Sequence, residues 1–450
     1  MNLVQAKKIY FCGIGGIGMS ALAQLLNKEG KTVFGSDLVS STIIKNLKKQ
    51  NIKVTIQQSG SVLAKDTDLL IYSSAVPAHH PERQKAKILG IASLSYFEAL
   101  GQYSQQFEKV IAISGTHGKS TTTAMIASVL IAAKLDPTVI VGSIMKELKS
   151  NARAGQKKYL VVEACEHQEH MLQLHPQMIV LTNIEEDHLD YYHNLDHIVM
   201  AFQKYINHLP ADGILIKNND DSESRDLGCD CRLVTYGLEN TAEYTATEVC
   251  TLKKQQHFVS LGSEFILNIP GRFNVANAMA CIAACRVLGI KDSVMQITLA
   301  KFRGIWRRFE AIGKYRGATV ISDYAHHPTA IHSTIRAARE FYPKQRIVLV
   351  FQPHQRSRTQ KLFDKFVNCF TEADFVIIQE IYDVAGREDQ KIRISSQDLV
   401  KAIEKKGKYA FYTKTVTQTR HKIDEVLDKN DVLLIMGAGD IYKLGEKLVL

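Results

Sequence analysis

The residues best suited to chemistry are Ser114-Gly115-Thr116-His117-Gly118-Lys119-Ser120. They follow the apolar run Lys109 to Ile113 and precede a helical pattern from Thr121 to Leu135, so they form a strand-to-helix turn. A strict P-loop has glycine where Ile113 stands, so this is a shortened form, G-x-x-G-K-S. Its physics is the same: backbone N–H groups cradle phosphates, Lys119 supplies a point charge, and Ser120 offers a hydroxyl to Mg²⁺. Glu163 ends the run Tyr159 to Val162. Its carboxylate is expected on the phosphate side of the sheet, because ligands bind at the carboxyl ends of parallel strands. A third strand end, Thr182-Asn183-Ile184-Glu185-Glu186-Asp187-His188-Leu189-Asp190, crowds carboxylates around one imidazole. Oxygen donors suit Mg²⁺, and His188 is placed to take one position on a second metal.

A second glycine loop, Gly13-Ile14-Gly15-Gly16-Ile17-Gly18, satisfies G-x-G-x-x-G between a strand and a helix. Gly13 allows the turn, Gly15 lets the backbone approach a phosphate, and Gly18 allows close helix–strand packing. Asp37 lies about 20 residues on, where a ribose-binding acid sits. Taken alone, this loop points to an NAD-dependent oxidoreductase. That reading leaves the Lys119 loop idle, since hydride transfer needs no triphosphate cradle. Two loops of this kind imply ATP in one domain and a second phosphorylated ligand in another.

These groups need parallel strands to hold them. Short apolar runs at Ile9–Cys12, Thr32–Gly35 and Leu69–Tyr72 alternate with helical patterns at Ser20–Lys28 and Ser41–Lys49, a βαβ rhythm. Residues 220–270 are more polar and are expected to form an antiparallel accessory sheet. Strand patterns return at Thr319–Ile321, Arg346–Val350, Phe375–Ile378 and Val432–Ile435. The expected fold is α/β with three domains. These are a Rossmann-like domain over 1–105, a P-loop-type ATPase domain over 106–298 and a second Rossmann-like domain over 299–450. The 45% apolar and 23% charged content excludes a disordered chain. The formal charge of +10 suits anionic ligands. Its densest clusters, Lys45–Lys49 and Lys405–Lys408, lack interleaved aromatics, which argues against nucleic acid. No 18-residue apolar run or signal-peptide pattern is present, so no membrane association and a cytoplasmic location are expected. The eight cysteines include no C-x-x-C pair, and reduced, mostly buried thiols are expected.

Seven motifs in order resemble the Mur ligase family over the whole chain. Two are the glycine loops, the first continuing into Met19-Ser20. The third is Asn183 to His188. The others are Gly271-Arg272-Phe273-Asn274-Val275-Ala276-Asn277-Ala278, Arg307-Arg308-Phe309, Asp323-Tyr324-Ala325-His326-His327-Pro328 and Phe351-Gln352-Pro353-His354. The resemblance implies ATP-dependent amide formation in peptidoglycan precursor synthesis, with ATP and Mg²⁺ as cofactors and UDP-N-acetylmuramate and L-alanine as substrates. It places UDP-sugar on Gly13, Gly15, Gly16, Gly18, Met19, Ser20 and Asp37. ATP falls to Gly115, Thr116, His117, Gly118, Lys119, Ser120, Thr121, Asn274, Asn277, Arg308 and Asp323. Metal falls to Ser120, Glu163 and His188, and the amino acid to Tyr324, His326, His354 and Arg358. Lys119, Arg308, His188 and His326 are the implied catalytic groups. A monomer or weak homodimer is expected. The chain departs from the family pattern at Cys165, where an Asp is usual, and at Gln355, where an Arg is usual. Lys204 lies near the position of a carbamoylated lysine in some members, with imperfect spacing, and is not assigned. The segment Ala325–Ile331 also resembles family members that add a whole tripeptide.

Overall fold

Three mainly parallel sheets carry the chain in the computed structural model, which describes residues 2–383 and 392–450; the second and third each have one antiparallel pair at an edge. The first has five strands in the order Lys53–Thr55, Thr32–Ser36, Lys8–Cys12, Leu69–Tyr72, Ala92–Ser95. All its pairings are parallel. The central sheet has eight strands, with Lys109–Ser114 between Met178–Leu181 and Tyr159–Glu163. The strand order changes direction around these three carboxyl ends, the place where open α/β sheets bind ligands. The third sheet has six strands, with Val432–Met436 between Ala318–Asp323 and Ile347–Phe351. The continuous apolar character of these strands reflects burial on both faces.

The helix Lys119–Ala132 is buried on nearly every side, between the central sheet and the helix Arg272–Val287. That explains its lack of a polar stripe. The helix Ile17–Lys28 packs against Thr138–Met145 and Ser150–Arg153 of the central sheet. One apolar cluster therefore runs from Leu22 and Leu25 to Ile140 and Leu160. Among the described residues, no helix is long and apolar enough to cross a membrane.

Two expectations need correction. Arg232–Gly237 pairs parallel with Ile214–Asn218 and extends the central sheet. Only Thr247–Leu252, Gln255–Ser260 and Ser263–Leu267 form an antiparallel sheet. Polar edge strands read like hairpins because one face meets solvent. Cys229 and Cys231 are joined in a disulfide, so they are not reduced thiols. Four of the six other cysteines are buried.

Candidate active site between the central and C-terminal domains

The loop after Lys109–Ser114 is shaped by Gly115 and Gly118, at φ 127° and 85°. A Cβ at Gly118 would collide with the Asn277 side-chain oxygen. Thr182 Oγ1 donates to the backbone oxygens of Ser114 and His117 at 3.1 and 2.6 Å. The Asn183 side-chain oxygen accepts from His117 N–H at 2.9 Å. The loop carbonyls of Gly115 and Thr116 hold the Lys119 ammonium, which also pairs with Glu166 at 2.9 Å. Burial works against that ammonium, but Glu166 and its neighbours outweigh it and raise its pKa. Glu166 was not singled out from the sequence. Its signal was its place three residues beyond the strand-end Glu163.

Ser120 Oγ donates to Glu163 Oε2 at 3.1 Å, and Gly142 N–H donates to Glu163 Oε1. Burial pushes the Glu163 carboxyl up despite these donors. A carboxylate and a hydroxyl beside a phosphate-type loop fit a hard cation such as Mg²⁺. His188 falls into a different contact group from the other two expected metal residues. Its Nε2 lies 3.7 Å from Glu166, and it clusters with His167 and Asp190. Burial lowers its pKa. Lys204 is exposed and pairs with Glu169 at 3.0 Å.

A cavity of about 450 Å³ opens between the central and C-terminal domains. Thr116 to Thr121, Asn274 and Asn277 form one wall, and Arg308, Asp323 and His326 form the other. Asp323 accepts from the N–H groups of Phe309 and Ala325, at 2.6 and 2.7 Å, and so shapes the loop that presents Arg308. Burial raises the Asp323 carboxyl even against Arg308. The adjacent Arg307 is buried and bonds the carbonyls of Gly437 and Gly439, leaving Arg308 as the cavity-facing cation. Tyr324 lies within 4.9 Å of both guanidinium groups.

Tyr324, His326, His354 and Arg358 form a chain of contacts. Ring centroids are 5.3 Å apart from Tyr324 to His326 and 6.1 Å from His326 to His354, and Arg358 reaches His354 at 3.4 Å. Burial holds His326 well below the usual imidazole range, with Arg358 adding to the effect. Its Nδ1 is 3.1 Å from the Tyr324 carbonyl, an acceptor, so Nδ1 carries the hydrogen and Nε2 is the basic nitrogen. Arg358 is held by Asp187 at 2.7 and 3.1 Å, a buried ion pair across the domains. Burial alone would raise the Asp187 carboxyl, but Arg358, His188 and His326 hold it well below the carboxylate range. Gln355 is buried, and its N–H bonds the Tyr382 carbonyl. Arg356 turns to Asp383 and Glu380 instead of replacing a cation at position 355. Cys165 is a neutral thiol pushed by burial to about 12, so it supplies no carboxylate there.

The first glycine loop is not part of this cavity. Asp37 accepts from Gly15 N–H at 2.8 Å and from Leu38 and Val39 N–H, so it orders the loop itself. Gly18 faces the Tyr96 ring with no room for a Cβ. Gly13 N–H bonds the Ser36 carbonyl, and Gly16 caps the following helix. The Met19 and Ser20 side chains are buried. Ser20 Oγ bonds the Ile17 carbonyl and Asn151. Through Asn151, Ser20 helps to dock the first domain on the second.

Comparison with known proteins agrees with this three-part organisation. Residues 8–108 match the Mur ligase family, catalytic domain, residues 113–285 the Mur ligase middle domain, and residues 307–439 the Mur ligase, glutamate ligase domain. The chain belongs to the Mur ligase family. One relative, the UDP-N-acetylmuramate--L-alanine ligase of Caldanaerobacter subterraneus subsp. tengcongensis, is 37% identical over 100% of this chain and 98% of its own. The enzyme of that name from Acetivibrio thermocellus is 39% identical over 98% of this Mur ligase and 95% of its own length. The crystal structure of UDP-N-acetylmuramate-alanine ligase from Thermotoga maritima superposes with TM-score 0.84 at 29% identity, covering 98% of each chain. A murein peptide ligase from Psychrobacter arcticus shares the fold, with TM-score 0.74 at 23% identity over 98% of each chain.

Proposed function

We propose that this Mur ligase joins L-alanine to the carboxylate of UDP-N-acetylmuramate, cleaving ATP to ADP and phosphate, in peptidoglycan precursor synthesis. The observation that carries the chemistry is the single cavity with Lys119 and Ser120 on one wall and Arg308 and His326 on the other. The amino-acid and sugar-nucleotide identities follow the names of relatives matched along their full length.

In this reading the 115–121 loop cradles the ATP phosphates, and Asn274 and Asn277 border the nucleotide. Lys119 moves from its loop carbonyls and Glu166 to the transferred phosphoryl group. Arg308 meets the same charge from the opposite wall, and Asp323 holds the loop that aims it. The muramate carboxylate attacks the γ-phosphorus, the bond to the β-bridging oxygen breaks, and an acyl phosphate and ADP form. The alanine amine attacks the acyl carbon, and inorganic phosphate leaves. His326, neutral with a bare Nε2, accepts an amine proton. Arg358 and His354 orient the alanine carboxylate, so Arg358 exchanges Asp187 for substrate. Ser120 and Glu163 would hold Mg²⁺, which offsets phosphate charge when bound. His188 is the proposed neighbour of a second ion. The first glycine loop and the N-terminus of the helix Ile17–Lys28 hold the UDP portion, and Asp37 orders that loop and meets the ribose. The proposed domain boundaries are near 105 and 298, and the proposed location is the cytoplasm.

The test measures ADP release with UDP-N-acetylmuramate and either L-alanine or the L-Ala-D-Glu-diaminopimelate tripeptide. Release that requires both the UDP-sugar and L-alanine is expected. Turnover with tripeptide but not L-alanine overturns the amino-acid assignment.

A further inference from the structure

His117, Glu185 and His327 meet at one side of the cavity, from three separate segments. His117 lies in the phosphate-type loop and Glu185 follows Met178–Leu181. His327 caps the C-terminal-domain helix Pro328–Phe341. Their ligand atoms lie within 4.8 Å of one another. Glu185 Oε2 is 2.9 Å from His117 Nε2 and 3.7 Å from His327 Nδ1. Nitrogen and oxygen ligands around a tetrahedral zinc stand about 3.3–3.5 Å apart, given bonds of about 2.0–2.2 Å. The two observed separations bracket that spacing.

His327 supplies an independent indication. Its side chain is 0% exposed, and its Nδ1 has no hydrogen-bond partner. The other nitrogen, Nε2, is 3.0 Å from the Glu186 carbonyl. A carbonyl only accepts, so Nε2 carries the hydrogen and Nδ1 is a bare lone pair. Burial, with His117 nearby, lowers the ring to about 4, so it is neutral at pH 7. The bare, buried Nδ1 thus faces Glu185 Oε2, an oxygen that is hydrogen-bonded to His117 Nε2 and partly open to the cavity. Leaving the buried Nδ1 without a partner is costly, and a cation held between it and the carboxylate removes that cost. The surroundings also have the form of a metal site. A ligating His usually gives its second N–H to a carbonyl, and ligating carboxylates are themselves hydrogen-bonded. Thr329 Oγ1 donates to the other Glu185 oxygen. His117 and Glu185 are each about a quarter exposed, which provides an entry path from the cavity.

We propose that His117, Glu185 and His327 bind a divalent transition metal of the zinc class, with its remaining position open to the cavity. The donor set, two imidazoles and one carboxylate, favours such an ion over Mg²⁺. The site is separate from Ser120 and Glu163, and it does not depend on the ligase assignment. A metal there ties the nucleotide loop to the C-terminal domain.

The metal-stripped full chain is titrated with zinc chloride, without nucleotide, by calorimetry. One zinc per chain is expected, weakened at least tenfold in His327→Gln and in Glu185→Gln. Binding is expected to persist in Glu163→Gln, and in His80→Gln and His167→Gln, which alter the two other candidate clusters. Unchanged affinity in a folded His327→Gln overturns the proposal. X-ray absorption at the zinc edge of the unsubstituted protein decides the matter even if that variant fails to fold. Nitrogen and oxygen scatterers with two imidazoles are expected. A sulfur scatterer would move the ion to Cys12, His80 and Glu82 and also overturn it.

Discussion

Asp187 ties the two halves of the cavity together through one side chain. It is buried, paired with Arg358, and held ionised well below the usual carboxylate range. Removing one partner of a buried pair leaves the other charge uncompensated, which costs about 3–5 kcal/mol. Asp187→Asn is therefore expected to lose about that much stability in urea denaturation at pH 7. The sign of the pH dependence follows from the depressed pKa. The Asp187 contribution is complete above the unfolded value of about 4 and is lost as pH falls through the lower folded value. The gap between parent and variant should stay constant from pH 8 to 5, and a gap that narrows in that range contradicts the assignment. The sequence marked Lys119, Ser120, Glu163, Arg308 and His326 as chemistry-bearing because their motifs have fixed spacing. It did not reveal that Asp187 occupies Arg358 or that Glu166 takes Lys119. Those partners are set by how strand ends meet across domains, which no local spacing encodes.

Between strand and helix, the nucleotide loop depends on backbone freedom. Gly118 is in the left-handed region and lies against the Asn277 amide. An alanine there adds about 1–2 kcal/mol of backbone strain and also displaces Asn277. Gly118→Ala is expected to lower the melting temperature by a few degrees and ADP formation at least tenfold. Wild-type turnover in that variant would show that the loop does not need this conformation. The main parallel strands and their helices were legible because burial on both faces leaves long apolar runs. The failures lie at the edge of the central sheet. Arg232–Gly237 alternates like an antiparallel strand because one side meets solvent, yet its register is parallel. Cys229 and Cys231 pair just before it. Two residues of separation alone did not distinguish a disulfide from two thiols.

Across the whole molecule, the two domain junctions differ in kind. The first and central domains share one apolar cluster, and Asn151 fastens the helix Ile17–Lys28 through Gln24 and Ser20. The C-terminal domain has separate cores and meets the 183–190 loop largely through polar groups. Lys361 bonds the Leu189 carbonyl at 2.6 Å, Lys365 pairs with Glu186 at 2.7 Å, and Arg358 pairs with Asp187. Both lysine contacts are exposed, and an exposed ion pair such as Lys365–Glu186 is worth about 0–1 kcal/mol. Opening at the apolar junction uncovers hydrocarbon, whereas opening at the polar one mainly exchanges protein contacts for water. The C-terminal domain should therefore move while the first two domains stay together, and ATP in the shared cavity should hold it closed. Hydrogen exchange with a non-hydrolysable ATP analogue is expected to add protection at residues 183–190 and 354–365. Protection at 21–28 and 150–153 should not change. An equal change at that apolar junction would mean that the first domain moves too, and the division into one rigid pair and one mobile domain would fail.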